Sequence, residues 1–145
     1  MESRTVSILL IEDDDIDAEG IERAFKKQKI ANPITRASDG IEALAHLRGE
    51  SAAGTLESPY IILLDINMPR MNGHEFLKEV RADDKLNHCV IFVLTTSDDE
   101  RDIEQAYEQH VAGYIVKSRA GEDFSALVGL VDHYWRYVEL PRVRK

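Results

Sequence analysis

The sequence predicts an α/β fold, a doubly wound five-stranded parallel sheet with five helices. Short apolar runs rich in β-branched residues alternate with segments of helical spacing along the chain. The runs are apolar on both faces, as strands covered on both sides must be, whereas each helical segment is apolar on one face only. Alternation of this kind implies right-handed crossovers, with helices on both faces of the sheet.

The elements follow in order. "VSILLI" (6–11) is the first strand, and Ile16, Gly20, Ile21, Ala24 and Phe25 have the spacing of the first helix. A weaker strand lies at "PITRAS" (33–38), and "DG" begins the turn into a helix carrying Ile41, Leu44, Ala45 and Leu47. "GESAAGTLESP" (49–59), with its small residues, glycines and proline, reads as a surface loop before the strand "YIILLD" (60–65). Phe76, Leu77 and Val80 mark the third helix, "CVIFVLT" (89–95) the fourth strand, and Ile103, Ala106 and Tyr107 the fourth helix. "AGYIVK" (112–117) is the last strand; Phe124, Leu127, Val128 and Val131 form the buried stripe of the last helix. Neither internal repeats nor a second domain are evident.

Composition bounds the chemistry. At 145 residues and 43% hydrophobic content the chain can build one core without disulfides. A formal charge of -9 argues against nonspecific binding to nucleic acid or an anionic membrane, and suits a cation. The single cysteine, Cys89, cannot form an internal bridge and reads as a buried, inert thiol, which points to a reducing cytoplasm. No apolar stretch approaches a membrane span, and "VSILLI" meets "EDDD" too early for a signal peptide, so a soluble protein that is not exported is expected.

In open α/β sheets ligands bind beyond the carboxyl ends of the strands. Reading those ends yields Glu12 and Asp13 after strand 1, Asp65 after strand 3, Thr95 and Thr96 after strand 4, and Lys117 after strand 5. Three carboxylates converging on one edge would repel one another unless a cation sat between them. A hard divalent cation such as Mg²⁺ meets that need, completing its shell with phosphate oxygens and water. A carboxylate can also attack phosphorus, provided the transferring oxygens are neutralised. Asp65 is central enough for that role, Glu12 and Asp13 would hold Mg²⁺, and Lys117 and the Thr95 hydroxyl would meet phosphoryl oxygens.

"LLIEDDDID", "ILLDINMPRMNG", "VLTTSDD" and "GYIVKS" resemble the receiver domain of two-component response regulators, a flavodoxin-like fold, over essentially the whole chain. The resemblance implies a receiver domain over residues 1–131 and a C-terminal helix extension and tail over 132–145. It puts the phosphoacceptor at Asp65, the metal acids at Glu12 and Asp13, and a metal-binding backbone carbonyl at Asn67. The switch hydroxyl falls on Thr95, the rotating aromatic on Tyr114 and the phosphate-pairing lysine on Lys117. The implied partner is a sensor histidine kinase, and the implied protein is a signalling module rather than an enzyme. Gly73, in the turn "MPRMNG", is expected to supply backbone angles that other residues resist.

Two departures stand out. The family usually has a cis Lys-Pro bond after strand 5, where this chain has Lys117-Ser118; a cis bond there would cost ~3 kcal/mol without proline. "KS", "LTTS", the long loop before strand 3 and the ending "VDHYWRYVELP" look similar to the single-domain regulators that partner bacterial phytochrome kinases.

Plainer roles stand beside these. Asp13, Asp14, Asp15 and Asp17 could cap the first helix, Asp65 could form a turn, and Thr95 and Tyr114 could be ordinary strand and core residues. His46, His74, His88, His110 and His133 show no ligand spacing and are expected on the solvated surface. Tyr134, Trp135, Tyr137, Val138 and Leu140 exceed what the core needs, so they either fold back or form a homodimer interface; "RVRK" reads as a solvated tail. On phosphorylation Thr95 would move and Tyr114 fill its space, changing the surface of helix 4, strand 5 and helix 5. With no effector domain or DNA-binding motif in view, that surface would act on another protein, or the phosphoryl group would be passed on. Asn67 and Ser97, two residues beyond the phosphoacceptor and the switch hydroxyl, would tune its lifetime. A haloacid-dehalogenase-type phosphatase needs a second acid where Asn67 stands, and a phosphate-cradling flavodoxin-like module needs glycine-rich loops; an unphosphorylated scaffold of the same fold is the remaining alternative.

Overall fold

The computed structural model describes residues 6–28, 32–50, 56–121 and 123–141. Among these, five strands alternate with five helices: β1 (Ser7–Ile11), α1 (Asp15–Lys27), β2 (Ile34–Ala37), α2 (Gly40–Leu47), β3 (Tyr60–Leu64) and α3 (Gly73–Ala82) come first. Then follow β4 (Val90–Thr95), α4 (Glu100–Glu108), β5 (Gly113–Val116), a 3-10 turn (Lys117–Arg119) and α5 (Ser125–Tyr137). The sheet has the order β2-β1-β3-β4-β5 and every pairing is parallel. Winding runs outward from β1 to β2 and then back across to β3, so the order reverses between β1 and β3. Ile11 stands opposite Leu64 and Leu64 opposite Val93, which brings the carboxyl ends of the three central strands level.

Period-two alternation explains why the central strands are apolar throughout. Leu9, Ile11, Ile62, Leu64, Ile91 and Val93 face one core, closed by Leu44 of α2, Phe76 and Leu77 of α3 and Ala106 of α4. Ile8, Leu10, Ile61, Leu63, Phe92 and Leu94 face the other, closed by Ile21 and Phe25 of α1 and by Leu127 and Val128 of α5. Each large side chain buried in this way stabilises the fold by about 1.5–3 kcal/mol before entropy is counted. The edge strands differ from the central ones: β5, last in the order, is only half-buried throughout, because among the described residues no strand pairs beyond it.

Helix starts are capped as their sequences direct. Asp14 accepts from the Asp17 N–H, Asp39 from the Glu42 N–H, and Asn72 with Glu75 forms a reciprocal capping box. Cys89 is buried with its sulfur 3.1 Å from the Tyr60 hydroxyl, and burial pushes its thiol above the usual range. Among the described residues no helix is long and apolar enough to cross a membrane.

Several expectations need correction. Ile16 is 80% exposed, and Ile41 and Tyr107 are also exposed, so three of the apolar residues with helical spacing lie off the buried faces. His46 is buried because it falls on the same face of α2 as Ala43 and Leu47, and His74 is shielded where α3 meets Asp102 of α4. His88, His110 and His133 are exposed as expected. The cis peptide among the described residues is Ser58-Pro59; Lys117-Ser118 is trans and opens the 3-10 turn. Residues 51–55 of the long loop lie outside the described residues.

α5 runs unbroken past Val131 to Tyr137. Tyr134 meets Phe92 edge-on with ring centroids 5.0 Å apart, and Trp135 and Leu140 pack against the core on the α1 and α5 side. Tyr137, 81% exposed, and the exposed Val138 are left facing outward.

Candidate functional site

β1 and β3 deliver the acids. Each strand is fully buried to its last residue, so the side chains just beyond are held on a rigid edge. Carboxylate oxygens of Glu12, Asp13 and Asp65 lie within 4.8 Å of one another, Glu12 and Asp65 buried and Asp13 exposed. The Asp14 N–H donates to Glu12 Oε2 at 3.2 Å, and the Asn67 N–H donates to Asp65 Oδ1 at 3.1 Å. Arg36 on β2 braces the same edge, donating twice to the Glu12 carbonyl oxygen and once to Asp15.

Lys117 enters from the end of β5. Its ammonium lies 2.7 Å from Glu12 Oε1, 2.7 Å from Asp17 Oδ2 and 3.4 Å from Asp65 Oδ2, with the side chain 11% exposed. Burial pushes Glu12 up from 4.5 to about 7; the Lys117 hydrogen bond opposes that shift and the Asp65 charge adds to it. For Lys117, burial disfavours the charged form, but hydrogen bonds to Asp17 and Glu12 outweigh it and hold the ammonium above its ordinary range. One ammonium facing three carboxylates leaves the site net negative. An all-oxygen donor set that is partly buried and short of positive charge fits a hard divalent cation.

Beside this edge, Thr95 ends β4 fully buried, with its hydroxyl oxygen 3.4 Å from the Ser97 N–H, while Thr96 is exposed. Tyr114 is half-buried and its hydroxyl donates to the Ser97 carbonyl at 2.9 Å. Ser97 Oγ in turn donates to Asp102 Oδ2 at 2.6 Å, and His74 Nε2 lies 2.9 Å from Asp102 Oδ1. The Ser97 hydroxyl, then His74, hold the Asp102 carboxyl below the usual range.

The strand-end residues expected to act together, Glu12, Asp13, Asp65 and Lys117, are brought together. Asp17 was expected only as a cap residue, yet it is one of the two closest partners of Lys117. Nothing in the sequence points to the chain of Ser97, Asp102 and His74: Asp99 caps α4 and Asp102 lies in its first turn, and neither position hints at a partner on α3. Gly73 matters for a different reason than expected. Its φ is not in the left-handed region. A Cβ there would instead lie 2.6 Å from Ile66 Cα and 2.9 Å from the Asp65 carbonyl oxygen, so the close approach of α3 to the Asp65 turn is what excludes a side chain.

Residues 8–128 match the response regulator receiver domain family, and the chain belongs to it as the receiver domain of a two-component response regulator. Proteins of this family are signalling proteins. It is similar to the probable methanogenesis regulatory protein FilR2 of Methanothrix harundinacea, 35% identical over 128 residues that cover 88% of this chain and 82% of that one. It is also similar to response regulator Rcp1 of Synechocystis sp., 34% identical over 128 residues, 88% of this chain and 87% of that one. Its structure resembles that of the phosphorylated cyanobacterial phytochrome response regulator RcpA, with a TM-score of 0.84, 33% identity and coverage of 95% and 99% of the two chains. The Mn²⁺-bound form of Rcp1 matches with a TM-score of 0.82 at 33% identity, covering 94% of this chain and 99% of that one.

Proposed function

We propose that this receiver takes a phosphoryl group from a sensor histidine kinase onto Asp65, in a Mg²⁺-dependent reaction, and signals through a changed surface or by passing the group on. The observation that carries this reading is the convergence of Glu12, Asp13 and Asp65 within 4.8 Å, with the Lys117 ammonium 3.4 Å from Asp65 Oδ2. An Asp65 carboxylate oxygen forms the new P–O bond as the P–N bond to the donor imidazole breaks. Glu12, Asp13, Asp65 and the backbone of Asn67 are the residues that would hold the metal, which neutralises phosphoryl oxygens when bound. Lys117 neutralises another phosphoryl oxygen, and the Thr95 hydroxyl donates to a third.

Similarity to the cyanobacterial phytochrome response regulator RcpA supports a kinase of the phytochrome type, a bacteriophytochrome, as the donor. A net charge of -9 supports a protein partner over nucleic acid or membrane, and a free buried thiol suits the cytoplasm. Thr95 and Tyr114 are the residues through which phosphorylation would alter the surface, since Tyr114 is tied to the loop two residues beyond Thr95.

The test is intact mass after incubation with acetyl phosphate or a phosphohistidine donor, with and without Mg²⁺, for the native chain and Asp65→Asn. A Mg²⁺-dependent gain of one phosphoryl group, absent in Asp65→Asn, is the expected result. No gain from either donor, with no Mg²⁺ binding, would leave an unphosphorylated scaffold of the same fold.

For the homodimer, the candidate residues remain Tyr134, Trp135, Tyr137, Val138 and Leu140, with Tyr137 and Val138 best exposed to a second subunit. Truncation after Val131 would also strip Tyr134 and Leu140 from the chain's own core, so Tyr137→Ser is the cleaner probe. A fall in sedimentation mass from dimer to monomer supports the interface; a native chain already monomeric at high concentration removes it.

A further inference from the structure

Lys117 has three N–H donors and three carboxylates around it. Glu12 and Asp65 belong to the cluster of acids that suits a cation; Asp17 does not. Once a metal and a phosphoryl group engage Glu12 and Asp65, Asp17 is the carboxylate left to Lys117 alone. Its contact is among the two shortest, at 2.7 Å, and the longest, 3.4 Å, is the one to Asp65, where an incoming oxygen has to fit. Asp17 is also well placed to hold still. It sits in the first turn of α1, and its own N–H is fixed by Asp14 Oδ1 at 3.0 Å, independently of its side chain.

We infer that Asp17 is a positioning residue, anchoring one N–H of Lys117 so that the remaining donors point at the phosphoryl oxygens on Asp65. This rests on the receiver reading above. A lysine on a flexible four-carbon stem approaches its target as a point charge with many rotamers. A charge-assisted hydrogen bond from a fixed helix turn removes that freedom before the phosphoryl group arrives. Asp17 is not one of the three clustered carboxylates and its side chain bonds Lys117, so its effect passes through Lys117.

The experiment compares native, Asp17→Asn and Asp17→Glu chains by three readouts. These are the rate of phosphorylation by acetyl phosphate, the Mg²⁺ dissociation constant by calorimetry, and the Lys117 ¹⁵Nζ ammonium signal by NMR. Asp17→Asn is expected to slow phosphorylation on the order of tenfold, to leave Mg²⁺ affinity within about twofold, and to broaden the slowly exchanging Lys117 ammonium signal. Asp17→Glu is expected to recover part of the rate. Phosphorylation of Asp17→Asn at the native rate or faster overturns the role, as does a loss of Mg²⁺ affinity equal to the loss of rate. A native chain that accepts no phosphoryl group overturns the receiver reading, and this role with it. A native chain that accepts one while Asp17→Asn does so equally well overturns this role alone.

Discussion

The Tyr114 hydroxyl donates to the Ser97 carbonyl oxygen at 2.9 Å, tying the middle of β5 to the loop that follows β4. Because Ser97 is also bonded to Asp102, and Asp102 to His74, one tyrosine joins a chain of contacts reaching from the Thr95 hydroxyl to α3. Removing the hydroxyl should loosen the loop without disturbing the acids. Tyr114→Phe is expected to lose about 0.5–1.5 kcal/mol of local protection, read as faster amide exchange at residues 97–99, while phosphorylation persists. Unchanged exchange would mean that the hydroxyl does not hold the loop.

Ser97→Glu replaces a hydroxyl that donates to Asp102 at 2.6 Å with a second carboxylate. The two acids repel, and the β4–α4 loop has to move. Phosphorylation of Asp65 should survive while its decay rate shifts several-fold, followed by loss of the phosphoryl mass with time. Identical decay in the native and variant chains would separate Ser97 from phosphoryl lifetime.

Gly73→Ala sets a Cβ against backbone, 2.6 Å from Ile66 Cα, which no side-chain rotation can relieve. A loss of about 1–3 kcal/mol is expected from the urea midpoint, with phosphorylation slowed because the Asp65 turn is displaced.

Burial separates two isoleucines that look alike in sequence. Ile62 is fully buried in the central strand and Ile16 is 80% exposed. Ile62→Ala should cost about 2–5 kcal/mol, whereas Ile16→Ser should change stability by less than about 0.5 kcal/mol, both read by chemical denaturation.

Glu12 links stability to pH. Its folded-state value is raised by burial from 4.5 to about 7, so between those values the folded chain binds the proton that the unfolded chain has released. Metal-free stability therefore falls as pH rises through this window; below it both states are protonated and the penalty vanishes, and above it the penalty is complete. A divalent cation competes with that proton. The rise in melting temperature on adding Mg²⁺ should accordingly be larger at about pH 7.5 than at about pH 5.5. An equal rise at both would remove Glu12 from the metal site.

By itself the sequence determined the five strands, the five helices and the acids, threonine and lysine at the strand ends. These are local: a short continuous apolar run, followed at once by Glu12 or Asp65, specifies a strand buried on both faces with a carboxylate at its tip wherever that strand lies. Burial at helix surfaces was less legible. Helical spacing marked Ile16 and Leu44 alike, but whether a helix residue meets the sheet depends on how the whole helix is seated.

Only the tertiary structure decided which side chains meet. Lys117 and Asp17 are separated by 100 positions, and their contact joins the end of β5 to the first turn of α1 although β3 and β4 lie between β5 and β1 in the sheet. The approach of α3 that forbids a Cβ at Gly73, and the meeting of His74 with Asp102, are likewise products of helices docked on a twisted sheet. Contacts of that kind depend on distances between elements rather than on spacing along one, and no local pattern encodes them.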